Sequence, residues 1–148
     1  MKIRPLETGD LAALLELYAH LHRQDDPLPD DAVAQTVWQE IMTQSGHTVF
    51  GCWVGNTLVS SCALTIVPNL TRGCRPYGII ENVVTHAGHR NKGHGKAILA
   101  HALSHAWAAG CYKVMLLTGR KDEATTRFYE SAGFDGDEKH GFIAKPET

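Results

Sequence analysis

Residues 90–97 read Arg-Asn-Lys-Gly-His-Gly-Lys-Ala and lie between a predicted strand and a predicted helix. The stretch before them, 77–85, is apolar and β-branched, which predicts a strand. After them, Ile98, Leu99 and Ala102 recur at helical spacing. The first backbone N–H groups of a helix lack partners, the helix dipole is positive there, and glycines let a phosphate approach closely. We therefore predict that this glycine-rich turn (residues 90–97) binds an anion at the carboxyl end of a strand.

The distribution of charged residues and the spacing of the glycines limit which class of anion-binding site this turn can be. No Asp or Glu occurs from Asn82 through Lys121, a segment that carries six Lys or Arg residues and five of the nine histidines. No Gly-Lys-Ser/Thr follows the turn, which excludes a Walker A loop, and Ile98 stands where a dinucleotide fingerprint has its third small residue. The formal net charge of -2 argues against a nucleic-acid binder with a globally basic surface.

The remaining pattern predicts an α/β fold with a mixed sheet. The elements in order are a strand, two helices, three strands, a helix, a strand, a helix, and one or two terminal strands. The predicted strands are 2–5, 47–54, 58–67, 77–85, 114–117 and the stretch from Phe134 onward. The first predicted helix begins at Asp10, and the second is capped by Asp30 or Asp31 and turns Val33, Val37, Trp38 and Ile41 inward. The last two predicted helices are 94–109 and 123–132. The residues Gly55-Asn56-Thr57 mark a tight hairpin.

Length and composition are those of one globular domain spanning residues 1–148. The chain weighs 16.2 kDa and is 43% hydrophobic and 20% charged. It contains no apolar run as long as a membrane span and no secretory leader, so we expect a cytoplasmic protein without a membrane partner. Its four cysteines are irregularly spaced, which favours reduced thiols, with Cys52 and Cys62 filling the core.

The glycine-rich turn resembles motif A of the GNAT superfamily of acetyl-CoA-dependent N-acetyltransferases, Arg/Gln-x-x-Gly-x-Gly/Ala. Arg90, Gly93 and Gly95 match that motif. Residues 128–134, Phe-Tyr-Glu-Ser-Ala-Gly-Phe, are similar to the family's motif B. The stretches 80–85 and 110–113 look most like the glucosamine-6-phosphate N-acetyltransferase branch. The resemblance implies the GNAT fold with a splayed central sheet, acetyl-CoA as co-substrate, no metal, and a homodimer.

The resemblance also implies which residues meet the co-substrate. The strand segment Val83-Val84-Thr85 would pair its backbone with pantetheine and supply an N–H donor to the acetyl oxygen. The pyrophosphate would bind the backbone of the glycine-rich turn. The full set of cofactor-binding candidates is Val83, Val84, Thr85, Arg90, Asn91, Lys92, Gly93, His94, Gly95, Lys96, Asp122, Thr125 and Phe128.

Two residues are candidates for catalysis. Tyr129 of motif B is the general acid that the resemblance implies for the departing thiolate; the alternative is a core aromatic on a short helix. Glu81 is the candidate general base, acting through a water, because it is the only carboxylate in an apolar strand and half-burial makes a carboxylate more basic. Its alternative is an outward-facing residue paired with an arginine.

Histidine and acidic clusters have weaker functional interpretations. His86 with His89, and His101 with His105, have spacings found in metal sites, but no third ligand stands out, so solvated histidines are favoured. The acidic residues between 25 and 31 could attract a cationic amine, although a solvated connector is the favoured role.

The predicted function is acetyl transfer to a primary amine of a small molecule or peptide. Two alternatives are a CoA-binding sensor without turnover and a nucleotide-phosphate binder, which binding of CoA against ATP would separate. The acceptor depends on the loops 23–31 and 68–76, where Arg72 and Arg75 hint at an anionic group on the acceptor. We expect no nucleic-acid partner.

Overall fold

A computed structural model describes residues 1–22 and 24–147 of the chain. Arg23, at the start of one predicted acceptor loop, lies outside the described residues. The chain divides into two compact units, Met1–Leu116 and Leu117–Thr148, and each is described by itself. A single domain over the whole chain therefore stays a prediction.

The first unit contains a five-stranded mixed sheet whose strands follow chain order. Its strands are β1 (Lys2–Pro5), β2 (His47–Val54), β3 (Thr57–Val67), β4 (Tyr77–Thr85) and β5 (Val114–Leu116). Neighbours are antiparallel from β1 to β4, and β4 and β5 are parallel. The predicted hairpin forms, with Gly55 at a φ of 59° that L side chains rarely adopt. The α/β class and the mixed sheet are confirmed.

Helices cover both faces of the sheet. They are α1 (Leu11–Tyr18), α2 (Asp31–Thr43), the one-turn α3 (Thr71–Cys74) and α4 (His94–Ala108). Leu14, Leu17 and Trp38 of the first two helices share a buried cluster with Val49 of β2. The next residue, Phe50, meets the rings of His101 and His105 of α4 at 5.1 and 5.3 Å. Because successive strand residues point to opposite faces, α1 and α2 pack on one face and α4 on the other.

Helix α2 buries a narrower face than its pattern predicts. Asp30 caps it as expected, with Oδ1 accepting the Val33 N–H at 2.8 Å. Trp38 is 1% exposed, and its Nε1 donates to the Thr8 carbonyl at 3.0 Å. Val33 and Val37 are 43% and 45% exposed, so the prediction that both face inward is wrong. The large indole forms the buried centre of this contact with Ile41 and Met42 packed beside it, and Val37, rotated by about 100° from Trp38, is left outside.

The second unit contains α5 (Glu123–Ser131) but no terminal strand among its described residues. The prediction of strand material from Phe134 onward is wrong. Residues 135–141 are charged or glycine except for one histidine, so they present no apolar face to bury against a sheet. Phe142 and Ile143 are 90% and 69% exposed.

Three of the cysteines are buried. Cys52 and Cys62 are fully buried, as predicted, and all four cysteines are free thiols. Burial raises the pKa of Cys62 to about 12. In the described ranges, no helix has both the length and the apolar character needed to span a membrane.

Candidate active site

The glycine-rich turn has the predicted strand–turn–helix geometry. After β4, a 3-10 turn (Ala87–His89) leads to Arg90, and α4 begins at His94. Asn91 and Gly93 have φ angles of 60° and 82°. No side chain caps α4, so the first-turn N–H groups, which lack helical partners, remain available to a ligand. The helix dipole adds positive potential at the same place.

Two cations of the turn are held by backbone carbonyls. Arg90 donates through Nε to the Thr85 carbonyl at 3.3 Å and through Nη2 to the His20 carbonyl at 3.2 Å. Lys92 Nζ donates to the Gly88 carbonyl at 3.3 Å, and Lys96 is exposed in the first turn of α4. Arg90 thereby connects the turn both to the end of β4 and to the residues that follow α1.

The carboxyl half of β4 has an unpaired edge in the described first unit. On one side, β3 pairs with β4 from Tyr77 to Thr85. On the other side, β5 pairs only with residues 78–80. Within the first unit, the backbone of residues 81–85 is therefore unpaired on that side, as strand addition by an extended ligand would require. Val83, Val84 and Thr85, predicted to pair with pantetheine, lie on this open edge.

A β-bulge interrupts β4 beside that edge. Ala63 is opposite Glu81 and Ser61 is opposite Val84, so two β4 residues face the single residue between them on β3. Asn82, the first of the two, has a φ of 54°. Its side chain is hydrogen-bonded to Tyr18 of α1, a phenol whose pKa is raised by burial. The sequence analysis assigned no role to Tyr18; an asparagine within an apolar strand was the available signal.

Glu81 lies immediately before the bulge and is exposed. The expectation of a half-buried carboxylate is therefore wrong, because the pairing of β5 ends at Ile80 and leaves no strand beside Glu81 on that side within the first unit. Among the described residues Glu81 forms no ion pair, so the alternative of a carboxylate neutralised by an arginine is not observed. Its role as general base stays a prediction.

Four histidines form a row of rings beside the glycine-rich turn. The ring centroids of His20 and His86 are 4.1 Å apart, those of His86 and His89 5.3 Å, and those of His89 and His94 6.0 Å. His20 Nδ1 accepts the Ala87 N–H at 3.3 Å, and His86 Nδ1 accepts the Gly88 N–H at 3.0 Å. Desolvation is the main cause that lowers the pKa of His20 and of His89, and neighbouring cationic side chains lower it further. No three potential ligands in the described ranges are grouped to hold a metal ion.

The second unit holds the remaining candidates on α5. Asp122 caps this helix, accepting the Thr125 N–H at 3.0 Å and the Thr125 hydroxyl at 2.9 Å. These hydrogen bonds, the backbone one first, lower the pKa of Asp122. The Phe128 and Tyr129 ring centroids are 5.0 Å apart, and Tyr129 and Phe134 are 6.2 Å apart, both edge-on. Tyr129 is thus half-buried in an aromatic cluster, and its role as general acid stays a prediction.

Comparison with known proteins identifies the family. The profile of the Acetyltransferase (GNAT) family matches residues 11–134. A glucosamine 6-phosphate N-acetyltransferase from Trypanosoma brucei brucei is 34% identical over 139 residues, which cover 94% of this chain and 92% of the relative. A solved structure from Agrobacterium tumefaciens str. C58, whose name assigns it to the acetyltransferases and gives no acceptor, is 43% identical with a TM-score of 0.93, covering 99% and 100% of the two chains. The structure of glucosamine-6-phosphate N-acetyltransferase from Arabidopsis thaliana is 26% identical with a TM-score of 0.83, covering 98% and 97%. The chain therefore belongs to the GNAT acetyltransferase family and is an acetyl-CoA-dependent N-acetyltransferase.

Proposed function

We propose that this enzyme transfers the acetyl group of acetyl-CoA directly to the primary amine of a small molecule, with both substrates bound together. The observation that carries the proposal is the open edge of β4 at residues 81–85, which leads directly into the glycine-rich turn. An extended pantetheine arm fits such an edge, and the pyrophosphate fits the N–H groups at the start of α4.

The chemistry assigns one task to each candidate. The neutral amine attacks the thioester carbonyl, the C–N bond forms, and the C–S bond then breaks. A backbone N–H among residues 83–85 stabilises the oxyanion, as donors fixed before reaction do in acyl transfer. Glu81 takes the proton from the attacking nitrogen through a water, and Tyr129 gives a proton to the CoA thiolate.

The acceptor class is supported by the relatives. The Trypanosoma brucei brucei and Arabidopsis thaliana proteins are named for glucosamine 6-phosphate, a small amino sugar. A primary amine on a sugar-sized molecule is therefore the acceptor we propose, and a peptide amine is the alternative. We also propose that the enzyme is a homodimer, which light scattering during gel filtration tests.

Release of CoA thiol across a panel of amines tests the proposal. The panel contains glucosamine, glucosamine 6-phosphate and a peptide with a free amino terminus. We expect Glu81→Gln and Tyr129→Phe each to lower kcat about 100-fold, a typical loss for one acid–base group, with little change in the KM for acetyl-CoA. The control is Glu40→Gln, an exposed carboxylate of α2, which should keep wild-type rates.

Two results would contradict the proposal. Tight binding of acetyl-CoA without thiol release for any amine would favour a CoA sensor. Binding of ATP in preference to CoA would favour a nucleotide-phosphate site. Wild-type kcat in Tyr129→Phe would remove only the assignment of the acid, because transfer itself would still be observed.

A further inference from the structure

Two adjacent serines of β3 are the polar side chains that the structure buries completely within its described ranges. Ser60 and Ser61 both have an exposed fraction of 0%. Each hydroxyl donates to a backbone carbonyl of a neighbouring strand, Ser60 Oγ to Val84 of β4 at 2.8 Å and Ser61 Oγ to Phe50 of β2 at 2.7 Å. Such bonds offset the cost of removing a hydroxyl from water. Of the two serines, only Ser60 is bonded in this way to the strand that carries the candidate site.

Ser60 also contacts the side chain of Thr85. Ser60 Oγ and Thr85 Oγ1 are 3.0 Å apart, and the two residues are opposite each other on β3 and β4. A hydroxyl has one proton to donate, and that of Ser60 goes to the Val84 carbonyl, so the Thr85 hydroxyl is the donor in this pair. The chain of hydrogen bonds therefore ends on the peptide group that links Val84 to Thr85.

That peptide group has its carbonyl on the β3 side and its N–H on the other side. His86 N–H donates to the Val59 carbonyl of β3 at 2.8 Å. Backbone groups two residues apart on a strand point to the same side, so those of Val84 also face β3. A trans peptide directs its C=O and its N–H in opposite directions. The Thr85 N–H is therefore directed at the edge of β4 that β5 leaves unpaired within the first unit.

The hydrogen bond from Ser60 strengthens this N–H as a donor. Hydrogen bonds in a chain polarise one another, so a proton donated to the Val84 carbonyl makes the N–H of the same peptide more positive. The bond also fixes the plane of the peptide, and the burial of Ser60 keeps water away from it. The Thr85 N–H is thus aimed and polarised before a ligand arrives, as an oxyanion donor has to be.

We propose that Ser60 is a positioning residue for acetyl transfer, which orients and polarises the Thr85 N–H as the donor to the acetyl oxygen. This inference rests on the proposed function, since that function requires an oxyanion donor among residues 83–85. Ser60 itself is buried, contacts no substrate and transfers no proton. It acts through the Val84–Thr85 peptide as negative charge develops on the acetyl oxygen.

Ser61 supplies a matched control for Ser60. Ser60→Ala and Ser61→Ala each remove one buried hydroxyl from β3 and the hydrogen bond that it donates to a carbonyl, so both should lower the midpoint of urea unfolding to a similar extent. Only Ser60→Ala should lower kcat, by about 10-fold, which is less than the roughly 100-fold cost of removing an oxyanion donor outright. The KM for acetyl-CoA should change little, because the backbone that binds pantetheine and pyrophosphate remains. Ser60→Cys, which has a similar shape but a weaker donor, should give an intermediate kcat. The assay is release of CoA thiol with the amine that the wild type uses fastest.

NMR spectra of the backbone amides test the donor without turnover. Acetyl-CoA and CoA should give amide-proton shifts that differ most at Thr85, because only acetyl-CoA brings a carbonyl oxygen to that N–H. The difference should shrink in Ser60→Ala and persist in Ser61→Ala. A largest difference at Val83 would overturn the assignment of Thr85 as the donor.

The kinetic results also separate this inference from the proposed function. Wild-type kcat in Ser60→Ala, or equal losses of kcat in Ser60→Ala and Ser61→Ala, would overturn the role of Ser60 while transfer stands. No turnover of any amine by the wild type, together with the expected shifts at Thr85, would support the donor and overturn the proposed reaction. Circular dichroism reports whether each variant is folded. If Ser60→Ala is not, Ser60→Cys and the wild-type spectra decide.

Discussion

The half-buried phenol of Tyr18 in α1 is hydrogen-bonded to the side chain of Asn82, the β4 residue whose positive φ forms the bulge. This contact fixes the strand at the point where Glu81 and the open edge meet. In the proposed reaction the N–H donors to the acetyl oxygen follow directly after it, so the contact controls where they point.

Tyr18→Phe should therefore cost more activation free energy, calculated from kcat, than unfolding free energy. Loss of one hydrogen bond costs about 1 kcal/mol of unfolding free energy, and the phenyl ring keeps the core filled. Steady-state kinetics with saturating acetyl-CoA and urea unfolding measure the two effects. A double-mutant cycle with Asn82→Gly, which keeps the positive φ without strain, should show that the two kcat losses are not additive. Additive losses would mean that Tyr18 does not act through the bulge.

Gly93 and Gly55 offer a matched test of the glycine-rich turn. Both have positive φ angles, 82° and 59°, and neither has an atom within 4 Å of an added Cβ, so alanine brings conformational strain alone. Each Gly→Ala change should cost about 1–2 kcal/mol of unfolding free energy. Only Gly93→Ala should also weaken acetyl-CoA binding, because only its strain displaces the N–H groups at the start of α4. Calorimetry with acetyl-CoA decides; equal affinity in both variants would place the pyrophosphate elsewhere.

Local chemistry explains why some features were predictable and others were not. The hairpin at Gly55, the cap at Asp30 and the turn at Gly93 depend on residues within a few positions, and the structure confirms all three. The contact from Arg90 to the His20 carbonyl joins residues 70 positions apart, and no local pattern encodes it. The prediction of terminal strands was wrong for a different reason. Phe142 and Ile143 are apolar, but the residues directly before them are not, so the segment has no continuous apolar face.

The candidate site also combines features that nearby residues predict with contacts that only the folded chain creates. Arg72 and Arg75 gave a hint of an anion from the sequence, but Tyr112 and Lys113 join them only because β5 pairs in parallel with the start of β4. Tyr18 could not be assigned because its partner, Asn82, is brought to it by the packing of α1 on the sheet. Contacts of this kind follow from tertiary structure, whereas motifs record only what is adjacent in the chain.

Asp122 and Asp30 separate helix capping from co-substrate binding. Both cap a helix by accepting the N–H three residues on, at 3.0 and 2.8 Å. Changing either to alanine should cost about 1 kcal/mol of unfolding free energy. We expect only Asp122→Ala to change the KM for acetyl-CoA, since only Asp122 is a predicted cofactor residue. Asp122→Asn keeps the cap, so any change in KM that it causes reports the carboxylate charge. An unchanged KM in both Asp122 variants would leave it a cap alone.

The ion pair of Arg4 and Asp10 makes part of the free energy of unfolding depend on pH in the acidic range. Arg4 Nη1 and Nη2 donate to the two Asp10 oxygens at 2.7 and 3.2 Å, and Asp10 also accepts the Glu7 N–H at 2.7 Å. The hydrogen bond from Arg4 is the main cause that holds the pKa of Asp10 below its ordinary value of 3.8. A lowered folded-state pKa means that the stabilisation is complete above the unfolded value and is lost as the pH falls through the folded one. Asp10→Asn should therefore cost about 1–2 kcal/mol of unfolding free energy at pH 7. Urea unfolding of both proteins from pH 7 down to pH 2 measures the difference, which should shrink only below about pH 4. A difference that stays constant through that range would show that the charge of Asp10 is not what stabilises this corner of the sheet.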